Sequence, residues 1–204
     1  MQEYQYSAKF YDPLLAPFIR PIRHRIITVV KRYRYQSILD VCCGTGDQLK
    51  LLKAHGFDGE GIDISDAMLS VAEKGDKADC KHQDATEMQY KDASFDLTMT
   101  AFALHEKNHI SARKIIEEMV RVTDENGDIL IVDYELSKKT SALSKKLIYL
   151  IEWIAGGEHY QNFKDYIDRG GLPALLSGIS LTEVKRYYFG QHGIVLLLLR
   201  KQKS

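Results

Sequence analysis

The chain is short of the residues that would assign it to several common classes. It has three cysteines, Cys42, Cys43 and Cys80, two of them adjacent, so no disulfide framework can hold it together. That usage suits a reducing compartment, and a cytoplasmic location is the expectation. Long apolar runs are missing as well: the longest, Ile194 to Leu199, is far below the ~20 residues that a membrane-spanning helix needs. The opening Met1-Gln2-Glu3-Tyr4-Gln5-Tyr6 lacks the basic-then-apolar order of a secretory signal, and none is expected. Charge of one sign is also absent. The 28 Lys and Arg balance the 28 Asp and Glu, which removes the general positive field that holds nucleic acid, so no nucleic-acid partner is expected.

What is present is 204 residues, 45% of them hydrophobic, which is enough to bury one sizeable core. A single domain over residues 1–204 is the expectation. Short β-rich apolar runs alternate with stretches of helical period, the mark of an α/β sheet. Apolar residues at three-and-four spacing predict a helix from about Pro21 to Tyr33, ahead of a strand over Ser37–Val41. The same reading predicts a helix over Asp47–His55, a strand over Gly59–Ile64 and a helix over Asp66–Lys74. It continues with strands over Asp79–His82 and Phe95–Thr100, a helix over Ile110–Thr123, and a strand over Ile129–Tyr134 after the turn Glu125-Asn126-Gly127-Asp128. Helices around Leu143–Ala155 and Asn162–Leu176 precede two last strands, Glu183–Phe189 and Ile194–Arg200, joined by Gly190-Gln191-His192-Gly193. The sum is a doubly wound sheet of seven strands, mostly parallel, closed by a C-terminal antiparallel hairpin. It divides into an N-terminal lid or helix at 1–34, a ligand-binding core at 35–135, an insertion at 141–176 and the hairpin at 181–201.

In such sheets a ligand sits beyond the carboxyl ends of the strands, where the strand order reverses. The first strand ends Asp40-Val41-Cys42-Cys43-Gly44-Thr45-Gly46-Asp47, with Gly44 and Gly46 letting backbone pass close to a ligand and turn into a helix. A nicotinamide fingerprint would place glycine where Leu49 stands, and the Gly-Lys-Ser/Thr of a phosphate-binding loop is missing. Asp63 closes the second strand seventeen residues after Gly46, near the offset of roughly 20 at which an acid grips ribose hydroxyls.

With these residues the sequence resembles the class I S-adenosylmethionine-dependent methyltransferases, most closely the small quinone-methylase-like branch, whose first motif often reads Asp-x-Cys-Cys-Gly-Thr-Gly. The resemblance covers about residues 35 to 135. It implies a Rossmann-like fold and S-adenosylmethionine as cofactor. It further implies that Asp40, Cys42, Gly44 and Gly46 form the loop against the methionine part of the cofactor, Cys42 standing where many members have glycine. Asp63 and the adjoining Ile64 would hold the ribose, Met68 would pack on the adenine, Asp84 would accept the adenine amino group, and Ala85 would offer its backbone. Thr100-Ala101-Phe102 would line the methyl-donor side. The resemblance also implies a small-molecule acceptor, quinone-like, lipid-like or another metabolite.

Acceptor-side candidates are His105, as general base at the end of the fourth strand, and Tyr11, whose Tyr11-Asp12 resembles the N-terminal Tyr-Asp pair of this branch and by that resemblance would fold over the cofactor. His159 and Tyr160, in the insertion, are candidate substrate contacts. The basic residues Arg20, Arg23, Arg25, Lys31, Arg32 and Arg34 beside an apolar stripe leave a peripheral membrane or lipid contact open. Two other readings compete. His105-Glu106-Lys107-Asn108-His109 matches H-E-x-x-H, which on a helix would serve a zinc hydrolase; a non-catalytic module that binds the cofactor is the second. The favoured reading assigns no metal, because these residues fall before the expected start of the helix.

Overall fold

A computed structural model describes residues 19–74 and 78–202. Tyr11, and with it the expected N-terminal lid up to residue 18, lies outside the described residues. The helix α1 (19–33) is amphipathic and buries Ile22, Ile26, Ile27, Val29 and Val30. Its basic side is partly committed to the protein itself, with Arg23 paired to Asp47 at 3.1 Å and the Arg25 guanidinium 4.6 Å from the centre of the Tyr187 ring.

Five strands then alternate with helices: β1 (Ile38–Val41), α2 (Asp47–Ala54), β2 (Glu60–Asp63), α3 (Asp66–Ala72), β3 (Asp79–His82), β4 (Phe95–Ala101), α4 (His109–Val122) and β5 (Thr123–Tyr134). Three helices follow, α5 (Ala142–Ala155), α6 (Gly157–Asp168) and α7 (Gly171–Leu176), and the chain closes on the hairpin β6 (Leu181–Phe189) and β7 (Ile194–Lys201). The sheet has seven strands in the order β3-β2-β1-β4-β5-β7-β6, with β7 antiparallel to both its neighbours and the other pairings parallel. Both faces are covered, which explains why the central strands read as continuous apolar runs rather than alternating ones. Along β5, Ile129 and Ile131 face α4, α6 and α7, while Leu130 and Val132 face α1 with Leu97, Met99, Leu196 and Leu198. Among the described residues no helix is long and apolar enough to cross a membrane.

Three sequence expectations shift. Strand β5 begins at Thr123 rather than Ile129, because the Glu125–Asp128 turn is absorbed as an irregularity: Phe95 pairs with Thr123 and Leu97 with Asp128. Asp124 accepts a hydrogen bond from the Asn126 amide, so the local turn chemistry survives inside the strand. The helix expected over 162–176 is broken into α6 and α7, because Gly170 (φ 103°) and Gly171 (φ 66°) take left-handed conformations. Helix α4 starts at His109, where Asn108 caps it by accepting from the Ser111 amide at 2.9 Å.

The strand order reverses between β1 and β4. The carboxyl ends of these strands, with those of β2 and β5 beside them, therefore frame the crevice in which ligands bind in sheets of this kind.

Candidate active site

Beyond β1 the backbone makes two left-handed steps, at Gly44 (φ 55°) and Gly46 (φ 69°), and the second leads straight into α2. A Cβ on Gly46 would lie 2.6 Å from the Ala78 Cβ, so this position needs glycine for space as well as for conformation. Gly46→Ala is accordingly expected to lower stability by about 1–3 kcal/mol, read as a lower urea midpoint; an unchanged midpoint would show that the loop can give way. At Gly44, in contrast, a Cβ would meet nothing within 4 Å, so the loop presents open backbone there. Cys42 is also left-handed (φ 59°), a conformation that favours glycine. Burial pushes its thiol up to about 12, which makes it a packing residue rather than a nucleophile.

Asp63 ties the two βα units together. One carboxylate oxygen accepts from the Gly44 amide at 2.8 Å and the other from the Ser65 amide at 2.8 Å, so the acid at the end of β2 sits against the glycine loop of β1. Ile64, next in sequence, is 57% exposed and so presents an apolar surface beside Asp63. Met68 lies in the first turn of α3, its amide capped by Ser65 at 3.4 Å. Strand β3 runs alongside, and the Gln83 amide donates to the Asp63 carbonyl at 3.1 Å, which brings exposed Asp84 and buried Ala85 to the same rim. Asp84 accepts from the Thr86 amide and hydroxyl with one oxygen, and these bonds hold its carboxyl below the usual range.

Asp40 is buried at the end of β1. Burial foremost, and then the Asp63 charge, push its carboxyl up to about 7, while Arg23 pulls it down. Thr100 is buried in β4, and its hydroxyl has no hydrogen-bond partner among the described residues; the side-chain amide of buried Gln48 in α2 has none either. Such orphaned groups are rare in protein interiors. These two sit in elements that border the crevice. The expected set Asp40, Cys42, Gly44, Gly46, Asp63, Ile64, Met68, Asp84, Ala85 and Thr100 thus falls at the carboxyl ends of β1 to β4 and in the first turns beyond them.

The acceptor side differs from expectation. His105 is 3% exposed, and its Nδ1 lies 2.7 Å from Asp133 Oδ1 and its Nε2 3.5 Å from Glu152 Oε2. Burial alone would lower the imidazole, but the two carboxylates outweigh it and push it up to about 10. The role of general base therefore does not fit this ring: both nitrogens are engaged and the charged form is favoured at neutral pH. His159, from α6, places Nε2 2.6 Å from the same Glu152 oxygen and Nδ1 3.3 Å from Glu106 Oε2. Tyr160 stacks on Phe163, ring centres 6.4 Å apart, beneath which Phe163 meets Tyr134 at 5.7 Å. The H-E-x-x-H pattern does not form the helical zinc motif, because His105 and Glu106 lie in the loop before α4 and only His109 is helical. Sequence reasoning missed Asp133, Tyr134 and Glu152. Each acid interrupts an apolar run, Ile-Leu-Ile-Val-Asp133 and Leu-Ile-Glu152-Trp-Ile, and that was the available signal.

Comparison with known proteins bears on the family and the fold. A family model described as a methyltransferase domain matches residues 38–127, the span from β1 into β5 that carries the crevice. A demethylmenaquinone methyltransferase of Halalkalibacterium halodurans is 37% identical over 123 residues, covering 56% of this chain and 49% of the relative. One from Thermotoga maritima is 30% identical over 151 residues, covering 71% of this chain and 65% of the relative. This chain belongs to the class I S-adenosylmethionine-dependent methyltransferases. The fold is similar over most of the chain to that of solved methyltransferases. The magnesium protoporphyrin IX methyltransferase of Synechocystis PCC 6803 has a TM-score of 0.63 at 15% identity, covering 89% of this chain and 83% of that one. An O-methyltransferase family protein of Burkholderia thailandensis has a TM-score of 0.68 at 17% identity, covering 95% and 59%. The chain spans about half to two thirds of the length of the methyltransferase relatives it matches in sequence.

Proposed function

We propose that this chain binds S-adenosylmethionine at the ends of β1 to β4 and transfers its methyl group to a small-molecule acceptor of quinol-like or related aromatic character. The observation that carries the reading is the Asp63 carboxylate, which bridges the Gly44 and Ser65 amides at 2.8 Å each and so joins the end of β2 to the glycine loop of β1, the strand at which the order reverses. The donor supplies an electrophilic methyl group on a sulfonium. Transfer from it is an in-line displacement, and the protein's part is to bind, orient and exclude water.

Gly44 and Gly46 give the close approach for the amino-acid end of the donor, Asp63 the acceptor for paired ribose hydroxyls, Ile64 and Met68 an apolar seat for the adenine, and Asp84 with Ala85 its polar edge. The orphaned Thr100 hydroxyl and Gln48 amide are the buried polar groups that a polar ligand would satisfy. On the acceptor side, the partly buried rings of Phe102 and Tyr160 would meet a flat acceptor, backed by buried Tyr134 and Phe163, with Phe102 and Tyr134 ring centres 5.9 Å apart. The demethylmenaquinone methyltransferase relatives support an acceptor of that shape. Titrating purified protein with labelled S-adenosylmethionine and a panel of hydroquinones, phenols and lipid extracts tests the reading. Labelled product is the expected result; failure to bind S-adenosylhomocysteine would overturn it.

Asp40 gives this site a pH signature. Its carboxyl is raised in the folded protein to about 7 from an ordinary value near 3.8, so folding takes up a proton between those limits. Stability from this group is therefore greatest below about pH 4 and falls as pH rises through 7. Asp40→Asn is expected to stabilise the ligand-free protein at pH 8 by about 1–3 kcal/mol, with the difference closing near pH 4, as urea unfolding at both values would show. The ionised form is the one that pairs with a cationic amino group, so wild-type affinity for S-adenosylhomocysteine is expected to weaken between pH 8 and pH 6. In Asp40→Asn that dependence should be flat.

A further inference from the structure

The acids and imidazoles beside the Tyr134 and Phe163 rings are arranged in an order that hydrogen bonding alone does not require. Three groups from three elements converge: His105 from the β4–α4 loop, Glu152 from α5 and His159 from α6, each offering one ligand atom within 4.8 Å of the others. Both imidazoles turn Nε2 towards one oxygen, Glu152 Oε2, at 3.5 Å and 2.6 Å. Both also turn Nδ1 to a carboxylate behind them, Asp133 at 2.7 Å and Glu106 at 3.3 Å. The remaining Glu152 oxygen accepts from the Tyr134 hydroxyl at 2.8 Å. Histidines that ligate metals characteristically donate their far N–H to a carboxylate, which fixes ring orientation and makes the ligating nitrogen more basic. Here the pattern occurs twice and points at a shared carboxylate.

We propose that His105, Glu152 and His159 bind one divalent first-row metal ion, zinc by ligand chemistry. Two imidazole nitrogens and one carboxylate form a donor set typical of zinc sites that keep a coordination position open. Bonds of about 2.0–2.2 Å place three ligand atoms within roughly 4 Å of one another, so side-chain adjustments of under an ångström bring this set into range. The ion would replace the protons that the imidazoles and Glu152 share. Asp133 and Glu106 would then keep Nδ1 protonated and Nε2 free to ligate. His159 and Glu106, with side chains 20% and 19% exposed, form the entry side, whereas His105 and Glu152 are closed in. The proposal stands on this side-chain geometry and does not depend on the donor reading.

The test uses tag-free full-length protein stripped with a chelator, titrated with Co2+ and followed by visible absorption, with Zn2+ then displacing the cobalt. S-adenosylhomocysteine is titrated into the same samples. The expected result is one equivalent of Co2+ with ligand-field bands of a four- or five-coordinate site, displaced by one equivalent of Zn2+. His159→Gln, at the partly exposed ligand, and Glu152→Gln should each weaken binding at least 100-fold while affinity for S-adenosylhomocysteine stays unchanged. Asp133→Asn, acting through His105 as a positioning change, should weaken it 10–100-fold. Wild-type protein that binds no stoichiometric metal overturns the proposal, as do both ligand variants binding as the wild type does. Metal binding without S-adenosylhomocysteine binding would leave this proposal standing and remove the donor reading instead.

Discussion

Asp63→Ala is expected to weaken S-adenosylhomocysteine binding at least 100-fold in calorimetric titration, the largest effect of any single change at the proposed donor site. Two losses combine. The carboxylate that would hold the ribose hydroxyls disappears, and charge-assisted hydrogen bonds are the strong kind. The Gly44 and Ser65 amides also lose their acceptor, so the glycine loop is released from β2. At about 1.4 kcal/mol per tenfold change, a 100-fold loss is about 3 kcal/mol, within what two such bonds supply. Asp63→Asn separates the two contributions. Its amide oxygen can still accept one of the loop amides, so loop order should be largely kept while affinity still falls. If Asp63→Ala bound within threefold of wild type, the acid would have no part in holding the donor and the proposed site would be wrong at its centre.

The second large effect concerns stability. Asp133 is fully buried at the end of β5, where it accepts from the amides of Leu104, His105 and Tyr134 and pairs with the His105 ring. Asp133→Ala leaves the buried imidazole without its partner and three buried amides without an acceptor. Removing one member of a buried pair typically costs about 3–5 kcal/mol, a large fraction of the roughly 5–15 kcal/mol by which a domain is stable. Urea unfolding in the presence of a chelator measures this without any contribution from bound metal. A cost below 1 kcal/mol would mean that water reaches the His105 ring and that the region around it is open. Asp133→Asn, which retains an accepting oxygen, should cost less than the alanine change.

The proposed donor half of the site could be placed from the sequence because it is local. Gly44, Gly46 and Asp63 belong to one strand-helix-strand unit, and a parallel sheet sends all its strand ends to one edge, so spacing along the chain translates directly into position. Asp84 follows for the same reason, one strand further on. The acceptor half could not. His105 was singled out as a general base, an assignment that rested on an imidazole at its ordinary value near neutrality. What changes it is Asp133, on the neighbouring strand, and Glu152, on a helix that packs back over the strand ends. Spacing in H-E-x-x-H pairs His105 with His109, which heads α4, whereas the imidazole beside His105 in the structure is that of His159, from α6. The irregular start of β5 and the break at Gly170 were also missed, since a turn signal does not say whether the strand ends there, and a helical period does not reveal a left-handed glycine.

By itself, then, the sequence determined the order of strands and helices, the sheet they form and the face on which a donor would bind. Those depend on hydrophobic period and on glycine and acid at short offsets along successive strand-helix units. Only the tertiary structure decided the ionisation of His105 and Asp40 and the company of Glu152 and His159. Electrostatic environment is set by whatever is nearest in space. In a sheet whose order runs β1-β4-β5, with helices from the far end of the chain folded across it, the nearest charged group is seldom the nearest in sequence.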